Sequence, residues 1–81
     1  MRTQLELWKL VKENFDMYFE TGLCWVISSL WDNDKITADE YYSLDLDLAN
    51  EGDISDFFLG KEGDPKPRLE FIEKMIKKHS Q

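Results

Sequence analysis

The residues with the clearest chemical potential in this 81-residue chain are Lys66, Pro67 and Arg68. Proline suits the first turn of a helix, because its missing N–H would have no intrahelical partner there. With Pro67 opening a helix, Lys66, Arg68 and the free backbone donors gather at its positive end, a standard setting for phosphate or carboxylate. Trp31, Tyr42, Phe57 and Phe58 supply aromatic faces on which a base can stack. The plainer alternative pairs Arg68 with a nearby acid such as Asp64, which orders the preceding loop. On local sequence alone that alternative is favoured.

Other chemistries fail on spacing. With Ile36 at the eighth position of a calcium loop, Glu40 becomes the twelfth, bidentate ligand. The first and third positions are then Ser29 and Trp31, and the required glycine is Asp34. Helix capping is a sufficient explanation for the Ile-Thr-x-x-Glu run. Carboxylates are abundant, but acid–base catalysis needs two with divergent pKa values in a cleft, and no pair is singled out. No phosphate-loop, nucleophile-elbow or zinc-protease motif is present. Cys24 lies in an apolar run with no histidine in sequence context to activate it, so it reads as a core residue. One cysteine excludes a disulfide framework within one chain, and one histidine, His79, excludes a multi-histidine metal site. His79 is expected in a fraying tail. These residues predict a protein that is not an enzyme and needs no cofactor or metal.

The elements that must position the candidate residues are legible as helices. Thr3 and Glu6 form a capping box, and Leu5, Trp8, Val11 or Lys12, Phe15, Tyr18 and Phe19 follow helical spacing, which predicts a helix over about 4–19. Gly22 breaks the pattern. Leu23, Ile27, Leu30 and Trp31 then form a stripe on a helix that is apolar nearly all round, suited to a bundle centre or a subunit interface. Thr37 and Glu40 form a second capping box, and Ile36 and Tyr41 are spaced for a hydrophobic staple. Tyr41, Leu44 and Leu48 mark the buried face of a third helix over about 38–49, with Asp45 and Asp47 toward solvent. Residues 52–67 read as a long loop carrying Phe57-Phe58-Leu59, a candidate functional element. A last helix from Pro67 carries Leu69, Ile72 and Ile76 in one stripe, flanked by Phe71 and Met75. The fold class predicted is all-α: a compact bundle of about four short helices in a single domain over 1–81, with one long ordered loop before the last helix.

The net charge of −7 is unevenly spread. Residues 32–64 hold two basic residues against eleven carboxylates, a net of −9, whereas residues 65–81 hold five against two, a net of +3. The middle repels a nucleic-acid backbone, which argues against direct duplex binding. Its plain role is solubility, and its functional reading is a face for a basic partner. No apolar run approaches the roughly 18 residues of a membrane span, and no signal-peptide pattern opens the chain, so a soluble intracellular protein without a membrane partner is expected. A domain this short buries only about 60–65% of its unfolded surface, which favours a homo-oligomer that completes its core between chains.

Three stretches taken together carry a resemblance: Thr21-Gly22-Leu23-Cys24-Trp25; Ile36-Thr37-Ala38-Asp39-Glu40-Tyr41; and Phe57-Phe58-Leu59-Gly60 with Pro67-Arg68-Leu69-Glu70-Phe71-Ile72. The chain resembles a group of small bacteriophage accessory proteins over roughly residues 5–77. Phe57-Phe58-Leu59 stands where that group often has an aromatic-tryptophan-proline segment. The resemblance implies action in the host cytoplasm against a host defence, by binding rather than catalysis. Two functions follow as expectations. One is sequestration of a host nucleotide immune signal, with its phosphates on Arg68 and Lys66 and its base on an aromatic. The other is an acidic inhibitor or nucleic-acid mimic that covers a basic host defence protein.

Overall fold

Extended backbone at Thr3 (φ −71°, ψ 161°) turns into the first helix through the expected capping box. The Glu6 N–H donates to Thr3 Oγ1 at 3.1 Å, and Glu6 Oε1 accepts from the Thr3 N–H at 2.9 Å. The computed structural model describes residues 2–15, 23–51 and 66–81. Among these residues lie four helices and no strand: α1 (Gln4–Asn14), α2 (Leu23–Asp32), α3 (Ala38–Glu51) and α4 (Lys66–His79). The protein is a small all-α bundle.

The link between α2 and α3 is built from local hydrogen bonds. Asp34 adopts a left-handed conformation (φ 58°), which short polar side chains tolerate better than most. The Lys35 N–H returns to Leu30 O at 2.9 Å and the Asp34 N–H to Trp31 O at 3.0 Å. This pair of bonds is the Schellman motif, which satisfies the last carbonyls of α2. Ile36 is then buried, the Thr37 N–H donates to Glu40 Oε1 at 2.9 Å, and the Glu40 N–H donates to Thr37 Oγ1 at 3.2 Å. Tyr41 packs against the core beyond the cap, as a staple requires. Thr37→Ala removes one half of this box. It is expected to cost about 1 kcal/mol, read as a lower urea midpoint with an unchanged slope.

The core joins all four helices: Leu7, Trp8 and Val11 from α1, Leu23, Ile27 and Leu30 from α2, Leu44 and Leu48 from α3, and Phe71, Ile72 and Met75 from α4. α4 packs chiefly on α1 and α2 on α3, while α1 also touches α2 and α3 and so occupies the middle. The Trp8 and Phe71 rings meet in a T-shape at 5.8 Å. Lys12 Nζ and Glu73 Oε1, 3.4 Å apart on the outer surface, mark the same seam.

Several expectations are corrected. α1 ends at Asn14 instead of about 19, because Phe15 is extended (φ −76°, ψ 125°) and its N–H folds back to Lys12 O. The remainder of that predicted helix, residues 16–19, lies outside the described residues, as do residues 20–22 and the predicted loop up to residue 65. The α1 core face is Leu7-Trp8-Val11, with Leu5 only half-buried. In α4 the buried face is Arg68, Phe71, Ile72 and Met75, while Leu69 and Ile76 lie at its margin. Asp47 does not face solvent, and His79 does not fray: it closes α4 and touches Asp47.

Candidate functional site

The predicted site residues separate onto two helix pairs. Lys66 is exposed at the start of α4, and Arg68 in its first turn is only 2% exposed. Trp31 lies in the last turn of α2 and Tyr42 early in α3. The structure therefore brings Trp31 together with Tyr42 on the α2–α3 hairpin, while the two cations ride on α4, which packs on α1. Phe57 and Phe58 lie outside the described residues.

The two aromatics belong to a three-ring cluster that local sequence did not announce. Trp31 lies 4.6 Å from Tyr41 and 6.2 Å from Tyr42 between ring centroids, and the two tyrosines meet edge-on at 5.4 Å. Tyr41 is the inner ring and packs against the core. Tyr42 is 61% exposed and Trp31 38%, and Leu46, one turn beyond Tyr42, is 60% exposed. Asp39 and Asp45, three residues to either side of Tyr42, are exposed on the same helix face. Asp32 and Asp34 are exposed where α2 ends. Among the described residues, no ion pair engages any of these four carboxylates. Lys35, the one basic side chain between residues 32 and 51, is held away by Asn14 Oδ1 at 2.8 Å. Farther back on α2, Trp25 is 66% exposed.

A second cluster is polar and internal. Asp47 Oδ2 accepts from Trp8 Nε1 at 2.8 Å and Gln4 Nε2 at 2.9 Å, and lies 2.9 Å from His79 Nε2. Gln4 also donates to Ser43 O and pairs with the Ser43 hydroxyl. Burial pushes the Asp47 carboxyl up, but the hydrogen bonds from Trp8, Gln4 and His79 outweigh burial and hold it below the ordinary aspartate value. A buried indole N–H needs an acceptor, so Trp8 was the signal that one acid on a neighbouring helix must turn inward.

A third group surrounds an open cleft of about 640 Å³ lined by Arg2, Glu6, Thr37, Asp39 and Glu40. Glu40 is 1% exposed and takes both the backbone N–H and the guanidinium of Arg2, at 2.9 and 3.0 Å. The hydrogen bond from the Thr37 backbone lowers its pKa, and the Arg2 contacts lower it further against burial. In Glu6 the Thr3 backbone and hydroxyl contacts do the same. Both carboxylates are occupied as helix caps. A general acid at neutral pH needs the opposite shift. Cys24 is only half-buried and is not among the buried core residues. Among the described residues, no group of three metal-ligating side chains is close enough to hold an ion, and no helix is long and apolar enough to cross a membrane.

No protein-family model, curated protein or solved structure matches the chain.

Proposed function

We propose that this chain works without catalysis, by binding, and that its α2–α3 face covers a basic surface on a host protein. The observation that carries this reading is the exposed Trp31, Tyr42 and Leu46 set among Asp32, Asp34, Asp39 and Asp45. Aromatic rings supply contact area at low entropic cost, and unpaired carboxylates steer a basic partner and exclude acidic ones. The resemblance to small bacteriophage accessory proteins supplies the setting: antagonism of a host defence in the host cytoplasm. Self-association through the exposed Trp25 side of α2 is compatible with this role.

A second reading, sequestration of a host nucleotide immune signal, draws support from Arg68. Arg68 springs from the first turn of α4, the helix end whose backbone donors and dipole favour an anion. In this reading Lys66 and Arg68 take the phosphates. The α2–α3 aromatics ride on the other helix pair, and Phe57 and Phe58, the other aromatics this reading names for the base, lie outside the described residues.

Native mass spectrometry of the protein recovered from host cells separates the two. The expected result is a complex with a host protein at fixed stoichiometry, dissociating as salt rises from about 0.1 to 0.5 M, because exposed charges are screened over a few ångströms at the higher value. A retained nucleotide on a chain free of protein partners would favour sequestration instead. A bare chain or bare homo-oligomer would count against both readings.

A further inference from the structure

We infer that the α2–α3 face recognises arginine: guanidinium groups on a basic segment of the partner protein lie against the exposed rings of Trp31 and Tyr42 and pair with the carboxylates of Asp39 and Asp45. This rests on the reading of the chain as a binder of basic proteins and names the side chain it selects.

Three observations converge on that choice. First, the rings are held in place before any partner arrives. Tyr41 is anchored on the core and touches both Trp31 and Tyr42, so the outer rings lose little freedom on binding. Second, helical spacing sets one carboxylate a turn before Tyr42 and one a turn after it, so a cation over the ring has an acid on either side. Third, these acids have no ion-pair partner among the described residues, so a partner's charge displaces no existing ion pair.

The geometry favours arginine over lysine. A guanidinium is planar and weakly hydrated, so it can lie flat on a ring while its edge donates two parallel hydrogen bonds to a carboxylate. An ammonium is a compact, strongly hydrated point charge and loses more water at the same place. A lysine-rich segment would feel the acidic field without using the rings.

The test titrates the full chain with a short arginine-rich peptide and with the same peptide carrying lysine at every arginine. Affinity is read by calorimetry and the contact face by amide chemical-shift mapping. The arginine peptide is expected to bind about three- to fivefold tighter at equal charge. Its shifts should centre on residues 31 and 39–46. Tyr42→Ser, at an exposed position, should reduce that preference toward what the Trp31 ring alone supplies, while leaving the charge-driven affinity of both peptides. Asp39→Asn with Asp45→Asn should weaken both peptides, and circular dichroism checks that each variant stays folded. Equal affinities would overturn arginine recognition while leaving a general binder of basic proteins standing. Binding of neither peptide, or shifts centred elsewhere, would also overturn it, and a host protein captured in the native mass spectrum would then be held by another surface.

Discussion

Trp8→Ala is expected to lower stability by about 3–5 kcal/mol, the usual cost of truncating a fully buried large aromatic. Trp8 has no exposed surface, meets Phe71 of α4 edge-on and donates to Asp47 of α3. One side chain thus links three helices. A domain of this length commands only about 4–12 kcal/mol in all, so the variant stands near the unfolding threshold. Thermal unfolding followed by circular dichroism should show a midpoint more than about 12 °C lower. Trp8→Phe keeps most of the ring and loses the N–H, so a drop of about 1–2 kcal/mol is expected. If the alanine variant melted with the parent, α1 would not be the central helix of the bundle.

The role of Trp8 also shows where local sequence stops informing. Both capping boxes, the staple and the four-helix pattern were legible, because a cap is a contact between residues three apart and leaves its mark in adjacent positions. Which stripe of a helix turns inward is decided by its neighbours. In α4, Leu69, Phe71, Ile72, Met75 and Ile76 are all apolar, and periodicity alone allows a stripe centred on either side. Packing on α1 selects the one that carries Arg68 and Phe71 inward. Asp47 was misplaced for the same reason: its donors come from α1 and from the far end of α4, 32 to 43 positions away. The end of α1 at Asn14 came without a glycine or proline there to signal it.

The candidate surface was legible in its parts and not in its grouping. Trp31 and Tyr42 stood out as stacking residues, but only the turn at Asp34 folds α2 back so that their rings meet around Tyr41. The exposure of Leu46 has no local sign, since Leu44, Leu46 and Leu48 look alike and α3 buries the first and third. That division is what leaves an apolar residue beside Tyr42 among the acids. The uneven charge of the chain takes on a location in this way: part of the acidic middle surrounds an aromatic patch instead of being spread over a featureless surface.

Asp47 should contribute to acid sensitivity. Its carboxyl is held below the ordinary aspartate value of about 3.9, so the folded state keeps it ionised at pH values where an unfolded chain takes up a proton. Its contribution is therefore complete above the unfolded value and is lost as pH falls through the folded one. Asp47→Asn keeps the shape but turns an ionic acceptor of several hydrogen bonds into a neutral amide beside the donors of Trp8 and Gln4. A loss of about 2–3 kcal/mol is expected at pH 7. Glu40 and Glu6 are also held low and remain in the variant, so their acid response cancels when the two proteins are compared. Urea unfolding from pH 7 downward should accordingly show the gap between parent and variant starting to close at about pH 4, where the unfolded parent chain takes up a proton at Asp47, and closing fully only below the lower folded value. His79→Ala removes a single donor and should cost about 1 kcal/mol. A gap that stayed constant across this range would mean that the Asp47 charge does not hold α1, α3 and α4 together.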